Sequence, residues 1–251
     1  MSLLTAAEQR RRHAMRRMLI AVGAMLAAAA GVAITLLVVG AGEPHPPAGS
    51  EPASPPHEPP RAHADAGTWQ LRPVSAGPLI LPRPTGQQQG IPTGFPHTTE
   101  GAISAAAHYN EVIIGLDSQV AARVGEVAAA PSYLDAPRDM IQGVAVARRS
   151  LGLGTDPQAP GAYLQFRSEA YRVLDATPNR VVVAVLGHVD AAGPATGGQG
   201  RTAVAAAAYT MVWVEGDWRI AADADTTRLH PLPQPRSPQA YEKGWRDLAL
   251  A

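Results

Sequence analysis

The longest apolar run of the chain lies near its N-terminus and is preceded by a cluster of basic residues. Residues 18–41 contain no charged side chain, and five arginines lie within residues 10–17. A helix of 24 residues rises about 36 Å, enough to cross a hydrocarbon core of roughly 30 Å. Basic flanks stay on the cytoplasmic side. The pattern therefore predicts a single transmembrane helix at residues 18–41, a cytoplasmic tail at residues 1–17 and an extracytoplasmic remainder.

A cleaved signal peptide is the alternative interpretation of this run. Val39-Gly40-Ala41 has the small residues of a cleavage site, but the apolar core of a signal peptide has only about 7–15 residues. The length favours an uncleaved anchor in the cell membrane. Gly23, Ala27 and Gly31 recur every four residues and predict a packing face between two such helices. In a helix so rich in alanine, the same spacing also arises by chance.

Residues 42–96 read as a proline-rich extracytoplasmic linker. Proline has no amide hydrogen and a fixed φ, so neither a helix nor a sheet continues through this stretch. We expect an extended chain, partly polyproline II, that holds a folded domain away from the bilayer. The few apolar residues between Trp69 and Leu81 are expected to dock onto that domain or onto a partner.

From residue 97 to residue 230 the pattern predicts one folded domain. Thr98 or Thr99 caps a first helix, whose apolar face is formed by Ala102, Ala106, Tyr109, Ile113 and Leu116. A second helix ends before Pro131, and a third begins near Asp135. Strand-like patterns then cover residues 163–174, 181–189, 203–214 and 218–222, with a glycine-rich loop at residues 191–200. The predicted fold class is α+β, with three helices packed on one face of a curved, four-stranded, mostly antiparallel sheet.

The last segment, residues 231–251, begins with three prolines in five residues, so we expect it to leave the domain as a C-terminal tail. Tyr241, Trp245 and Leu248 recur there at helical spacing and form an apolar stripe. Such a stripe fits a groove on a partner. Docking onto the chain's own domain is the other interpretation.

Two segments resemble known protein families. Residues 213–219, Trp-Val-Glu-Gly-Asp-Trp-Arg, resemble the last hairpin of the nuclear-transport-factor-2-like superfamily, whose fold is a cone of helices and a curved sheet. Residues 94–102 resemble the entry to an uncharacterised actinobacterial family associated with mobile elements. Anchor, linker and cone together resemble bitopic assembly subunits of conjugative type IV secretion systems, such as the VirB-type scaffold and TcpC-like proteins. The resemblance covers roughly residues 91–225, and a fold alone does not define a function.

The resemblance implies a possible pocket between helices and sheet, which enzymes of the superfamily line with Asp, His or Tyr. The candidates in this chain are Tyr109, Tyr163, Tyr171, His188, Asp190, Asp223 and Asp225. His188 and Asp190 are two residues apart on one predicted strand, where a carboxylate can tune a histidine for general-base work. Alternatively, both are solvated at the end of the strand, which we favour.

Other chemistry has little support in the sequence. The chain contains no cysteine, no phosphate-binding glycine loop, no HExxH and no GxSxG. We therefore expect no catalytic residues, cofactor or metal. Between Thr98 and Leu232 there are 10 Arg and 14 acidic residues, a net charge of −4, which argues against direct nucleic-acid binding.

The sequence thus favours a non-enzymatic, membrane-anchored assembly or scaffold subunit of a cell-envelope complex for conjugative DNA transfer. Its expected partners are the lipid bilayer and other envelope proteins, and a second copy of itself is a further candidate. The alternative is a tethered cone domain that binds or converts a small hydrophobic ligand. A scaffold predicts an interior filled by side chains, whereas an enzyme needs an open cavity with convergent polar groups.

Overall fold

The computed structural model describes residues 35–37, 77–154, 159–224 and 226–249. The predicted cytoplasmic tail, the predicted membrane helix except for residues 35–37, and most of the predicted linker lie outside these residues. The packing face of Gly23, Ala27 and Gly31 lies outside them as well. No helix in the described ranges is long and apolar enough to cross a membrane. At the end of the predicted membrane helix, Thr35–Leu37 form a short strand, β1, where a helix was expected.

The three predicted helices are confirmed. They are α1 (Thr99–Ile113), α2 (Ser118–Ala128) and α3 (Ala136–Ser150). The side chain of Thr98 accepts the Gly101 N–H at 3.0 Å and caps α1 as predicted. Asp117 caps α2 in the same way. Such caps satisfy amides that have no partner within the helix.

The four predicted strands are also confirmed, with somewhat longer bounds. They are β4 (Tyr163–Thr177), β5 (Arg180–Ala192), β6 (Arg201–Val214) and β7 (Asp217–Asp223). Two short strands, β1 and β8 (Arg246–Asp247), enlarge the sheet to six. The order is β1-β6-β5-β4-β8, with β7 also beside β6, and all of these pairs are antiparallel. The α+β class, with helices on an antiparallel sheet, is thereby established.

Both faces of the central strand β5 are buried, as its continuous apolar run predicts. Val181, Val183 and Val185 belong to the cluster formed with the helices, which we call the helix face. Val182, Ala184 and Leu186 belong to a second cluster on the opposite side, the outer face. The helices therefore cover only one side of the sheet, and another segment covers the other.

The cover of the outer face is the C-terminal segment, residues 226–249. It contains a short helix, α4 (Pro238–Glu242), and the edge strand β8. Trp245 is 1% exposed and packs in the outer-face cluster, and Leu248 is 2% exposed. The segment does not leave the domain: its prolines lead it across the sheet instead. Docking on the chain's own domain is thus the arrangement found for Trp245 and Leu248, whereas Tyr241 stays 41% exposed.

Secondary structure begins before residue 97, inside the stretch predicted as linker. Two strands, β2 (Gly86–Gln88) and β3 (Ile91–Thr93), form a hairpin. Gln89 and Gly90 in its turn have φ of 51° and 80°, the two positive values of a type I′ turn. Leu79 docks earlier still, between the backbone of Asp247 and that of Ala249. The number of prolines in this stretch led us to predict a linker without strands. Pro92 is nevertheless compatible with β3, because both strands of a two-stranded ribbon are edge strands.

Candidate functional site

The two segments that carry the family resemblance contact each other. Asp217, only 4% exposed, accepts three backbone N–H groups. Gly94 donates to its Oδ2 at 2.9 Å, while Phe95 at 3.0 Å and Trp218 at 2.9 Å donate to its Oδ1. The Trp218 indole Nε1–H donates to Pro96 O at 2.9 Å. A carboxylate that accepts several amides makes strong, charge-assisted bonds, so the final hairpin holds the entry to α1.

An aromatic stack extends this contact. The rings of His97 and Trp213 lie 4.1 Å apart at an interplanar angle of 9°. His97 Nε2 lies 2.9 Å from Pro178 O and 3.0 Å from Asn179 Oδ1. A carbonyl oxygen can only accept, so Nε2 carries the hydrogen. We call Gly94–His97 together with Trp213, Asp217 and Trp218 the entry clamp.

Glycine at position 101 is part of the same construction. A Cβ there would lie 1.9 Å from Pro96 O, so a side chain would push the entry segment away from α1. Gly101 and the entry clamp thus hold the segment before α1 against the last hairpin by packing and hydrogen bonds.

The candidate tyrosines between helices and sheet are packed in the core. Tyr109 is 0% exposed and donates to Trp218 O at 3.2 Å. Tyr209, which the sequence did not single out as a candidate, is 1% exposed and donates to Asn110 Oδ1 at 2.6 Å. Tyr171 is 1% exposed, and its hydroxyl has no hydrogen-bond partner among the described residues. The space where a pocket was considered is therefore occupied by these side chains.

Burial shapes the acidity of two of these phenols. Removal from water disfavours the phenolate. It raises the pKa of Tyr171 to about 12. Burial first, and the negative charge of Asp217 second, raise the pKa of Tyr109 well above its ordinary value. Both tyrosines are neutral core residues at physiological pH.

His188 and Asp190 lie on the outer face and bind different partners. His188 Nδ1 lies 2.6 Å from Glu169 Oε1. Asp190 Oδ2 lies 3.1 Å from Arg167 Nη2, and its Oδ1 accepts the Thr202 hydroxyl at 2.5 Å. These residues do not point into the space between helices and sheet. The pairing of these two residues with each other, which was the less favoured interpretation of the sequence, is not found: each has its own polar partners on neighbouring strands.

Sequence analysis did not identify Glu169 as the partner of His188. The two residues are 19 apart, and β4 has a register shift between Ser168 and Ala170. A bulge redirects a side chain relative to simple alternation. Only the paired strands reveal this contact, because no sequence signal places the bulge.

Of the remaining candidates, only Tyr163 has a side chain that the structure describes. Tyr163 is 39% exposed at the start of β4. Asp223 is in β7, in register with Tyr209, but its side chain is not described, and neither is Asp225. Within the described ranges, no three His, Asp or Glu side chains form a group that could hold a metal ion.

One cleft lies elsewhere, between α2, α3 and the start of β4. Its volume is about 810 Å³. Its apolar lining includes Leu116, Ile141, Val144, Leu153 and Leu164, and Arg148, Arg149 and Tyr163 add polar groups. Tyr163 is the one predicted site residue that lines it. Residues 155–158, which join the lining residues Gly154 and Ala159, are outside the described part of the chain.

Of the comparisons of this chain with known proteins, only the one with protein families gives a match. No curated protein and no solved structure matches the chain. The model of one family, described as a domain of unknown function (DUF8175), matches residues 38–241. This match spans 204 of the 251 residues (241 − 38 + 1) and includes the entry clamp, the three helices and strands β2 to β7. The chain therefore belongs to the DUF8175 family.

Proposed function

We propose that the protein is a non-enzymatic, membrane-anchored assembly or scaffold subunit of a cell-envelope complex, of the kind used in conjugative type IV secretion. The observation that carries the proposal is the filled interior. Tyr109, Tyr171 and Tyr209 occupy the space between α1 and the sheet and are at most 1% exposed. A domain whose interior is full acts through its surface, because an enclosed pocket of a few hundred Å³ is what a buried ligand needs.

The polar pairs on the outer face support the same interpretation. A general base needs access to a substrate proton within about 3 Å. His188 is 25% exposed and bonded to Glu169, and Asp190 is bonded to Arg167 and Thr202. Neither side chain is part of the lining of the cleft between α2, α3 and β4. Both side chains are therefore engaged with neighbouring strands, which suits a domain that acts through its surface.

The anchor in this proposal rests on the amino-acid pattern. If β1 is kept as a strand, residues 18–34 still provide 17 uncharged residues. They span about 25 Å as a helix, at the short end of the range for a membrane-spanning segment. The preceding arginines then remain at the cytoplasmic surface, where they attract anionic lipid headgroups.

The absence of cysteine from the chain allows a direct test of topology. Single cysteines are introduced as Ser2→Cys and, at an exposed position of the domain, Ser132→Cys. A membrane-impermeant maleimide added to intact, wall-stripped cells should label Ser132→Cys at once and Ser2→Cys only after permeabilisation. Equal labelling of both variants in intact cells, or mature protein in the medium without its first forty or so residues, would contradict the anchor.

The scaffold role is tested by isolation in detergent from cells that carry the complete mobile element. The full chain should co-purify with other envelope proteins in constant ratio. Residues 1–76 alone, which keep the predicted anchor and residues 42–76 of the predicted linker but lack the helices and the main strands of the domain, should not. Recovery of the full chain by itself, or the same partners with residues 1–76, would overturn the proposal.

A second function, binding of a small hydrophobic ligand, is favoured by the cleft of about 810 Å³. Ile141 lines it and is 40% exposed, whereas Leu134 is 87% exposed and lies outside the lining. If the cleft binds ligands, Ile141→Arg should abolish binding of an apolar fluorescent probe and Leu134→Arg should retain it. Equal binding by both variants would exclude the cleft as the binding site.

A further inference from the structure

One edge of the sheet has a stretch of backbone without a partner. Strand β4 has 15 residues, and on its outward side β8 pairs only with Ala170 and Tyr171. Beyond them, residues 172–177 have no outward strand partner in the part of the chain that the structure describes. Leu174 in this stretch is 38% exposed. An open edge with an apolar side chain is a template for another strand.

The path of the chain before Leu79 leads towards this edge. Leu79 runs parallel to Leu248, held by Leu79 N–H to Asp247 O and Ala249 N–H to Leu79 O, both 2.9 Å. Strand β8 is antiparallel to β4. The segment at Leu79 is therefore antiparallel to β4, and a chain that continued in the same direction before it would run towards Thr177.

The register at Leu79 identifies which residues would lie along the open edge. Asp247 pairs with Ala170, and Leu248 N–H donates to Glu169 O at 2.8 Å, so Leu79 lies level with Glu169. If the chain continues in this direction, counting back one residue at a time places residue 76 level with residue 172. Because β4 has a register shift between Val173 and Asp175, residue 71 or 72 is then level with residue 177. Six residues at about 3.3 Å each cover about 20 Å, which is the length of the open edge.

The position next to this edge is left open by the C-terminal segment. Gly244 has a φ of 82°, and Trp245 then packs into the outer-face cluster. The backbone therefore joins β4 only from Arg246 onwards. A strand that occupies the adjacent position needs to shift by one strand spacing, about 4.8 Å, between residues 76 and 79.

We propose that residues 71–76 add an antiparallel strand to β4 along residues 172–177. Leu71 and Val74 supply apolar side chains to cover the edge, and Pro73 is acceptable because its missing N–H can face outwards on an edge strand. The family match includes both the segment and the edge. The inference does not depend on membrane anchoring, so each can fail without the other.

This docking determines where the linker leaves the domain. The added strand ends beside the turn between β4 and β5, which holds Pro178 and Asn179 and contacts the entry clamp through His97. Residues 38–70 then connect β1, which pairs with β6, to the added strand beside this turn. The loop between β5 and β6 lies at the other end of the sheet.

Paired cysteines in the otherwise cysteine-free chain test the contact. Val74→Cys with Leu174→Cys, treated with a short bismaleimide, should give mainly an intramolecular crosslink. The reach of the reagent tolerates a shift of one residue. The control pair, Val74→Cys with Arg201→Cys at the opposite side of the sheet, should give none. No crosslink in the first pair, or a crosslinked dimer, would overturn the proposal; the dimer would assign the edge to a second copy.

Hydrogen exchange provides a readout without cysteines. The double variant Val74→Pro/Ser75→Pro removes two successive N–H groups, one of which must face β4 in either phase of the strand. The amides of residues 172–177 that face away from β5 should exchange about tenfold faster in it than in Val74→Ala/Ser75→Ala, whereas those bonded to β5 should be unchanged. Equal exchange in the two variants would show that the edge is open and the inference wrong.

Discussion

At the scale of single residues, we expect the fold to be most sensitive to substitution at Asp217. Its carboxylate joins Gly94 and Phe95 to the start of β7, across more than 120 residues of sequence. Because it is buried and accepts three N–H groups, loss of its charge leaves several donors without an adequate acceptor. The contact lies at the junction of the two halves of the domain, so its effect reaches beyond the residue itself.

Asp217→Asn should lower the free energy of unfolding by about 2–3 kcal/mol, because hydrogen bonds to a charged acceptor are worth about 1.5–3 kcal/mol. Urea denaturation followed by tryptophan fluorescence measures the loss. The control is Asp175→Asn, since Asp175 is 57% exposed in its ion pair with Arg180 and should change stability by less than about 0.5 kcal/mol. Equal effects of the two substitutions would contradict the assigned role.

The buried tyrosines should respond differently to loss of the hydroxyl. The Tyr209 hydroxyl donates to Asn110, whereas that of Tyr171 has no partner among the described residues. Tyr209→Phe should cost about 0.5–1.5 kcal/mol, because it removes a buried hydrogen bond. Tyr171→Phe should be neutral or stabilising, because it removes a desolvated polar group. Thermal unfolding of both variants measures the difference, and a larger loss for Tyr171→Phe would be contrary to expectation.

Stability at high pH should follow the buried phenols. The pKa of Tyr171 is raised from 10 to about 12 in the folded protein. Between these values the unfolded chain loses the proton and the folded chain keeps it, so stability is intact below about pH 10 and falls as the pH rises towards 12. Urea midpoints should be equal at pH 7 and 9 and lower at pH 11. The decrease should be smaller in Tyr171→Phe; an identical decrease would contradict this origin.

At the scale of elements, the C-terminal segment behaves as part of the fold. The sheet side of the outer face has small residues, among them Ala184, Ala206 and Ala208, so it offers little bulk of its own. Trp245 supplies the largest side chain of the cluster. The apolar stripe on this proline-rich segment thus packs on the sheet of its own domain, mainly through Trp245.

Trp245→Ala should reduce stability by about 3–5 kcal/mol, the usual range for removal of a buried aromatic side chain. Tyr241→Ala is the matched control, because Tyr241 is 41% exposed four residues earlier, and it should cost less than about 1 kcal/mol. Urea denaturation gives both values, and limited proteolysis should cut only the first variant within residues 226–249. A neutral Trp245→Ala would show that the segment is dispensable.

At the scale of the whole molecule, the sheet is a shared middle layer with two covers. Helices α1 to α3 cover one face and residues 226–249 cover the other. A single sheet with one bare apolar face is prone to association. The second cover therefore keeps the domain from binding others through its sheet.

Removal of residues 226–251 should uncover the apolar outer face, including Val182, Leu186 and Val204. The shortened protein should bind a hydrophobic dye and elute as larger species in size-exclusion chromatography. A chain that lacks only residues 250–251, which follow the described C-terminal segment, should remain like the intact protein. A monomeric, dye-free product after the larger deletion would contradict the covering role.

The candidate site was predicted less well than the fold. The alternation of residues correctly placed His188 and Asp190 on one face of β5, but the partners Glu169 and Arg167 come from β4. Strand alternation gives relative orientation, whereas the choice of face, the register and the bulge arise from pairing with a neighbour. Tyr109 and Tyr171 were found as aromatic positions, and only their burial showed that they fill the interior.

The sequence by itself determined the three helices, the four main strands and the α+β class, because caps, apolar periodicity and turn residues act over a few neighbouring positions. The tertiary structure alone decided which surfaces these elements bury. It brought the residues around Gly94 to Asp217, turned the C-terminal segment onto the outer face and ordered the hairpin within a proline-rich stretch. The physical reason is that burial and hydrogen bonding between distant segments depend on the whole arrangement, and no local pattern encodes the partner.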